Sequence, residues 1–271
     1  MPKIKKTIDQ AIYKAVDRTP VLHISETGNS KIGRGIASFS TLPGDAAHML
    51  YTKDGRLVTD EPGTCSENCD TCFKRCYAVN SAHRYHNTCI PAWLDNTLLL
   101  RRGKLFKALD DYLTKKNAKK KVPITTFRIN VSGEIQTPEE FREWNALAKK
   151  HPETMFAVYT KNYDALEIFL KEVGGESEPN FVINVSQWHG VADEFIRRNP
   201  TGYNIFEYDD SNKKSCELSE ADKARLAKEC HCPAVTREGK HAKTPAGEPI
   251  TCDHCKRCYT KTGKVTAVWS H

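Results

Sequence analysis

The sequence predicts an α/β protein: a partial (β/α) barrel of parallel strands with outer helices, followed by a small cysteine-rich, metal-binding extension. Four consecutive strand–helix units after Pro123 predict the barrel, because this alternation is typical of parallel strands covered by helices. The alternation stops near residue 230, where five of the chain's 11 cysteines gather. We therefore expect a barrel-like domain over residues 1–229 and a metal-binding tail over residues 230–271.

Apolar periodicity and helix-start signals place the individual elements. The four units are predicted as strands at 124–131, 155–160, 181–185 and 203–208, each followed by a helix, at 138–150, 163–173, 192–198 and 219–228. The preceding region is predicted to hold a helix at 7–18, a strand at 21–24, a hairpin at 47–58 and helices at 91–102 and 104–116. A last strand is expected at 264–269.

Composition favours a cytoplasmic protein with no membrane partner. No segment approaches the roughly 20 apolar residues of a membrane span, and the start of the chain lacks an apolar signal core. The formal net charge of +7, with a lysine run over 115–121, makes nucleic acid a candidate partner. A solvated helix end is the simpler explanation of that run.

The cysteines fall into two groups, which indicates metal ligation because a reducing cytoplasm discourages disulfides. The first group consists of Cys65, Cys69, Cys72 and Cys76. The second group consists of Cys232, Cys252, Cys255 and Cys258, with Cys230 beside it.

In the first group, Cys65, Cys69 and Cys72 have the spacing C-x3-C-x2-C. Three thiolates can hold three irons of a 4Fe–4S cluster and leave the fourth iron open to a small molecule. Cys76 is a competing ligand, since Cys69, Cys72 and Cys76 would share one face of a helix. If all four cysteines bound the cluster, no iron would be open. A four-cysteine zinc site is a further alternative.

With this spacing the chain resembles the radical S-adenosylmethionine superfamily. The resemblance implies that the open iron binds S-adenosylmethionine and that an electron from the cluster cleaves it. The product would be a 5′-deoxyadenosyl radical that abstracts hydrogen from a substrate. An external electron donor is implied as well.

The resemblance extends to Ser132-Gly133-Glu134, which follows the predicted strand 124–131. Members of the superfamily carry a Gly-Gly-Glu-like segment there, which implies that these three residues bind the methionyl end of the cofactor. The chain departs from the pattern at two positions. Ser132 replaces the first glycine, and Thr71 precedes the third cysteine, where an aromatic residue is usual.

Several further motifs are distributed along the chain: Gly28-Asn29-Ser30-Lys31 with Gly33, Cys72 to Ala78, Val131 to Glu134, Tyr159-Thr160-Lys161 and the cysteine-rich tail. Through them the sequence is similar to a group of phage- and mobile-element-encoded proteins known by a gene-product label and related to the radical superfamily. A Cys-Tyr-Ala segment is fixed in that group, which favours Cys76 as a ligand. The similarity implies a chemistry without naming a substrate.

The second group has the spacing C-x2-C-x2-C, with Cys232-Pro233 twenty residues before the triad. Bacterial ferredoxins bind a 4Fe–4S cluster with a close triad and a remote Cys-Pro. A zinc site is the alternative, because two cysteine pairs across a loop suffice for it. The tail is poor in apolar residues and would fold only around a metal.

The sequence therefore predicts a radical S-adenosylmethionine enzyme with one or two 4Fe–4S clusters and an unknown substrate. A second hypothesis is a non-catalytic module, stabilised by zinc or a cluster, that binds nucleic acid or a protein partner.

Overall fold

The computed structural model describes residues 11–27, 32–65, 72–74, 76–119, 123–187, 192–209, 232 and 242–269. The chain forms two compact units. Unit 1 combines Met1–Ile24, Ser38–Pro123 and Ile129–Leu147, and unit 2 combines Ser25–Ala37, Ile124–Arg128 and Ala148–His271. The predicted boundary at 229/230 and the predicted helix 219–228 lie outside the described residues.

A six-stranded parallel sheet with flanking helices organises the fold, which confirms the predicted α/β class. The strands are hydrogen-bonded in their order along the chain: β1 (Ala37–Ser38), β2 (Thr126–Arg128), β3 (Met155–Thr160), β4 (Phe181–Gln187), β5 (Asn204–Asp209) and β6 (Val265–Trp269). In the register, Phe127 lies opposite Phe156 and Val158 lies opposite Ile183. The last strand of the predicted tail is thus a member of the sheet, paired with β5.

In unit 2, the strands are apolar and largely buried, as is usual for parallel strands. The first six residues of β4 are all buried. The helices that the structure describes in this unit include α5 (Tyr163–Glu172), α6 (Asp193–Arg198) and the four-residue helix Cys252–Cys255. Phe169 of α5 packs edge-on against Phe181 of β4, with 6.4 Å between ring centroids. The side chain of Asn162 caps α5 by accepting a hydrogen bond from the Ala165 N–H at 3.3 Å.

Unit 1 contains the helices α1 (Tyr77–Arg84), α2 (His86–Arg101) and α3 (Leu105–Asn117), of which α1 and α2 contribute residues to an apolar core. The core contains Leu42, Leu50, Val58, Val79, Ala82, Ile90, Leu94 and Leu98. The predicted hairpin is confirmed by the antiparallel bridge between Tyr51 and Leu57. Helix α2 begins before its predicted start and includes Pro91, and α1 was not predicted.

The predictions for the N-terminal region are wrong within the described residues. Residues 11–18 are not helical, because the N–H groups of Ile12 and Tyr13 donate to the carbonyls of Leu57 and Val58 at 3.1 and 2.9 Å. No strand forms at 21–24, where the His23 N–H donates to the Asn96 side chain at 2.9 Å. Hydrogen bonds to residues distant in sequence therefore override local propensity here.

Helix α4 (Pro138–Lys150) has the predicted bounds. It begins with a capping box, Thr137-Pro138-Glu139-Glu140, in which the Thr137 hydroxyl accepts from the Glu140 N–H at 3.3 Å. The Glu140 carboxylate in turn accepts from the backbone N–H of Gln136. Across the described residues, every helix is too short or too polar to span a bilayer.

Candidate metal and cofactor sites

Cys65 of the first group is anchored by Gly44. The Gly44 N–H donates to the Cys65 sulfur at 3.2 Å, and the Cys65 N–H donates to the Gly44 carbonyl at 2.9 Å. Gly44 has φ +89°, and a Cβ there would lie 2.8 Å from the ring of Phe73, the residue after Cys72. Gly44 therefore lies between the Cys65 sulfur and the Cys72 segment. A backbone N–H that donates to sulfur stabilises a metal-bound thiolate.

Cys72 and Cys76 are direct neighbours. A hydrogen bond between the two thiols, together with burial, raises the pKa of Cys76. Cys76 precedes α1 with an extended backbone (φ −68°, ψ 121°), so the predicted helix face shared with Cys72 is wrong. The backbone N–H groups of Val79 and Ala78 at the start of α1 lower the pKa of Cys76, but they do not offset the two effects that raise it. Cys69 lies outside the described residues.

The predicted cofactor-binding loop, Ser132-Gly133-Glu134, is tied to both ends of the first cysteine group. On one side, the Glu134 N–H donates to the hydroxyl of Thr64, directly before Cys65, at 3.0 Å. On the other side, the hydroxyl of Tyr77, directly after Cys76, donates to the carbonyl of Val131. The structure therefore brings together two segments that were predicted as parts of one site.

The loop offers polar groups to a ligand. Gly133 has φ +82°, and a Cβ there would lie 1.9 Å from the Thr41 hydroxyl oxygen and 2.5 Å from that of Thr64. Only glycine fits this position without displacing its neighbours. Ser132 is 3% exposed, and its hydroxyl has no hydrogen-bond partner among the described residues. A buried hydroxyl in that state can accept or donate to a bound polar group without losing an existing bond.

Arg101 holds the backbone that leads to Cys65. It forms an ion pair with Glu61 and donates to the carbonyls of Pro62 and Gly63 at 3.0 and 3.2 Å. Gly63 is tightly enclosed, since a Cβ there would lie 2.3 Å from the Pro43 carbonyl oxygen. These contacts fix the approach of the chain to Thr64 and Cys65.

A titratable carboxyl lies near Glu134. Burial, supported by the charge of Glu134, raises the pKa of Glu140 to about 7, although its backbone hydrogen bonds and Arg101 act in the opposite direction. The other carboxyl in the first turn of α4, that of Glu139, is exposed, and hydrogen bonds lower its pKa. Of these two carboxyls, only that of Glu140 has a pKa near 7.

The second cysteine group lines one cavity, part of which is open to solvent. Its lining consists of Cys232, Cys252, Cys255, Lys256, Arg257, Cys258, Tyr259 and Thr266. Cys232 reaches the triad because its N–H donates to the Ala267 carbonyl of β6 at 2.7 Å. The structure thus brings together the triad and the remote cysteine, as the sequence spacing predicts. Burial raises the pKa of Cys252 to about 12 and also raises that of Cys258.

Two asparagines attach the second cysteine group to the sheet. Asn184 on β4 and Asn204 on β5 are register partners, and both are buried. The Asn184 amide donates to the carbonyl of Cys258 at 3.0 Å. The Asn204 amide donates to the carbonyl of Thr260 at 2.9 Å, and its oxygen accepts from the N–H of Gly263 at 3.0 Å. The loop that carries the cysteines is therefore fixed to two central strands.

Part of a glycine-rich motif contacts this loop. Asp253, next to Cys252, accepts a hydrogen bond from the Gly35 N–H at 3.2 Å. Gly33 has φ +105°, and a Cβ there would lie 2.1 Å from an Asp253 carboxylate oxygen. The segment 28–31 lies outside the described residues. The described end of the motif therefore contacts the loop of the second cysteine group.

Metal binding stays a prediction at both groups. In the described part of the chain, no three His, Cys, Asp or Glu side chains stand arranged as the ligands of one metal ion.

The sequence analysis did not predict a role for four residues at these sites: Thr41, Thr64, Asn184 and Asn204. The two threonines gave no signal. The two asparagines did give one, since a polar residue within an apolar strand such as 181–187 must find hydrogen-bond partners.

In comparisons with known proteins, no curated protein and no solved structure matches significantly. The model of the gene product 88 family matches residues 25–261. This range contains both cysteine groups and the Ser132–Glu134 loop. The match fits the predicted similarity to a group with a gene-product label. The chain belongs to the gene product 88 family.

Proposed function

We propose that this chain is an iron–sulfur enzyme of the radical S-adenosylmethionine type, built on a partial barrel. The observation that carries the proposal is the double attachment of the Ser132–Glu134 loop to the first cysteine group. Hydrogen bonds join Glu134 to Thr64 and Tyr77 to Val131, next to Cys65 on one side and Cys76 on the other. A cofactor held by both the first cysteine group and the Ser132–Glu134 loop would require these two parts to be neighbours.

The residues of the loop suit the methionyl end of S-adenosylmethionine. The Ser132 hydroxyl is buried with its hydrogen-bonding capacity unused by described residues. Gly133 allows the loop to pack closely against the hydroxyls of Thr41 and Thr64, and Glu134 supplies a carboxylate that can accept from an ammonium group. When bound, a reduced 4Fe–4S cluster supplies the electron that cleaves the cofactor into methionine and a 5′-deoxyadenosyl radical.

Cys65, Cys69 and Cys72 are the proposed ligands of this cluster, and Cys76 competes for one position. The hydrogen bond from the Gly44 N–H to the Cys65 sulfur supports Cys65 as a ligand. The contact of Cys76 with Cys72 and its position at the start of α1 support Cys76 as a ligand. Radical chemistry requires that only three of the four bind iron, so that one iron stays open.

The test is anaerobic reconstitution with iron and sulfide, followed by addition of dithionite and S-adenosylmethionine. We expect brown protein that forms 5′-deoxyadenosine and methionine. Serine replacements of Cys65, Cys69, Cys72 and Cys76, one at a time, identify the three ligands, because loss of a ligand removes the product. Cys89→Ser is the matched control, since Cys89 on α2 belongs to neither group. A fully loaded cluster that forms no 5′-deoxyadenosine would reduce the protein to an electron carrier.

The second cysteine group is proposed to hold a second 4Fe–4S cluster through Cys232, Cys252, Cys255 and Cys258. Support comes from the single cavity that all four line. Zinc is the alternative metal at this group, and elemental analysis separates the two. Colourless protein with zinc and no iron would favour the non-catalytic module that binds nucleic acid or a protein partner. The proposed enzyme also needs a cytoplasmic electron donor and a substrate that the sequence does not name.

A further inference from the structure

Arg128 lies close to the second cysteine group. It is the last residue of β2 and lies opposite Ala157 of β3. Its guanidinium carbon lies 3.6 Å from the centroid of the Tyr159 ring. Tyr159 is two residues beyond Ala157 and therefore projects from the same side of β3. A guanidinium at this distance is held over the ring by cation–π attraction.

Tyr159 connects Arg128 to Cys258. Its hydroxyl forms a hydrogen bond with the Cys258 side chain. The 3-10 helix Arg257–Tyr259, which contains Cys258, packs against β3 and β4. Phe206 of β5 packs edge-on against the Tyr159 ring, with 4.7 Å between centroids. The ring is therefore fixed between the guanidinium and the sulfur.

The charge of Arg128 acts on the cysteines of this group. Its guanidinium lies over the Tyr159 ring, and the hydroxyl of the same ring contacts the Cys258 sulfur. The cavity lining adds two further cationic residues, Lys256 and Arg257. The Asp253 carboxylate is turned to the Gly35 N–H and the Thr251 hydroxyl. The second group is thus a set of thiols in a positively charged setting.

We propose that Arg128, held by Tyr159, is the charge-compensating residue of the second site and raises the reduction potential of a 4Fe–4S cluster there. This inference rests on the second cluster of the proposed function and is independent of chemistry at the first. The step is the transfer of one electron from an external one-electron reductant to the cluster, with no ligand bond broken. A cluster with four thiolates is an anion, and the added electron makes it more negative. A neighbouring positive charge therefore stabilises the reduced state more than the oxidised state.

The experiment is a redox titration of the second cluster, followed by electron paramagnetic resonance. The titration uses the full chain with Cys65→Ser and Cys72→Ser, so that only the second cluster contributes. Arg128→Met removes the charge and Arg128→Lys keeps it. Arg197→Met, on the exposed surface of α6, is the control for loss of a cation in the same unit. The titration is repeated on the wild-type protein, which holds both clusters, with and without S-adenosylmethionine. Because the cofactor changes only the signal of the first cluster, the unchanged signal is assigned to the second.

We expect Arg128→Met to lower the reduction equilibrium constant at least tenfold, which is about 59 mV for a one-electron couple. Arg128→Lys and Arg197→Met should stay near the unmodified value. If the methionine variant does not load iron, Arg128→Gln gives the same comparison with a polar side chain. Equal reduction potentials in wild type and Arg128→Met, at equal iron content, would overturn the role of Arg128 and would leave the second cluster itself unaffected. Absence of a reducible second cluster in the unmodified chain would overturn that cluster and this inference, and leave 5′-deoxyadenosine formation unaffected.

Discussion

The backbone N–H of Glu134 donates to the side-chain oxygen of Thr64 at 3.0 Å, across 70 residues of sequence. Thr64 directly precedes Cys65, and its hydroxyl is also 2.7 Å from that of Thr41. One buried hydroxyl therefore joins the proposed cluster loop to the proposed cofactor loop. The two loops can keep a fixed separation only while this contact persists.

Thr64→Val should loosen the Ser132–Glu134 loop, because valine has the same shape and lacks the hydroxyl. The buried Glu134 N–H would lose its acceptor, which costs about 1–3 kcal/mol. We expect weaker binding of S-adenosylmethionine at unchanged iron content, measured by equilibrium dialysis and iron analysis. Thr88→Val is the control, because the Thr88 hydroxyl is exposed and donates within its own helical turn. Unchanged cofactor affinity in Thr64→Val would show that the Thr64 hydroxyl does not contribute to cofactor binding.

Gly133→Ala should abolish cofactor binding and leave the cluster in place. The new methyl group would fall 1.9 Å from the Thr41 hydroxyl oxygen, at a positive φ of +82° that disfavours alanine. Gly103→Ala separates these two effects, because Gly103 has φ +65° and nothing within 4 Å of the added Cβ. We expect Gly103→Ala to lower stability by about 1 kcal/mol and to bind the cofactor normally. Equal cofactor affinity in both variants would contradict a close approach of ligand to Gly133.

The sheet could be predicted largely from sequence, and the sites only in part. Strand β3 and helix α4 have their predicted bounds, since an unbroken apolar run and a capping box are local signals. Residues 11–18 could not be predicted, because the backbone partners of Ile12 and Tyr13 lie in the hairpin region. Thr41 and Thr64 acquire their role only from the fold that surrounds Gly133.

Cysteine spacing predicted two groups of ligands, which stay a prediction, and it did not identify the residues that support them. Arg128 and Tyr159 are separated by 31 positions and meet only because β2 and β3 are adjacent and parallel. The prediction that Cys72 and Cys76 share one face of a helix was wrong, because Cys76 has an extended backbone. The chain leaves helical geometry between the two residues and starts a new helix after Cys76.

Asn204→Ala should release the second cysteine loop from the sheet. It removes the donor to Thr260 and the acceptor for the Gly263 N–H. Each buried group left without a partner costs about 1–3 kcal/mol. We expect lower metal content at the second group and faster hydrogen exchange over 258–269, measured by mass spectrometry. Asn199→Ala is the control, because the Asn199 amide donates within the end of α6. Wild-type exchange in Asn204→Ala would show that the metal alone holds the loop.

Arg101→Met should impair loading of the first cluster. The guanidinium binds Glu61 and the carbonyls of Pro62 and Gly63, and methionine keeps only its apolar length. Loss of this partly buried pair leaves the Glu61 carboxylate without its cation, which costs about 1–3 kcal/mol. Iron content after reconstitution should fall, with the second cluster intact. Arg142→Met, which breaks an exposed pair with Glu139, should load normally. Full loading of Arg101→Met would contradict a positioning role for Arg101.

Glu140 should make the folded protein less stable as the pH rises toward 8. Burial raises its pKa from 4.5 to about 7 in the folded state, so the folded protein binds one more proton than the unfolded chain between these values. The stabilisation is therefore complete below pH 4.5 and is lost as the pH rises through 7. Its size is on the order of 2 kcal/mol, reduced from the full linkage value because the side chain is only half-buried.

Urea unfolding of wild type and Glu140→Gln between pH 4.5 and 8 measures this contribution. Glutamine at the same position keeps the capping box with Thr137 and carries no titratable proton. The difference in unfolding free energy between the two proteins should change by about 2 kcal/mol across this range, in favour of the glutamine variant at high pH. Glu139→Gln, at an exposed carboxyl whose pKa is lowered, should run parallel to wild type. Parallel curves for Glu140→Gln would mean that the Glu140 carboxyl is ionised throughout, and that burial does not control its charge.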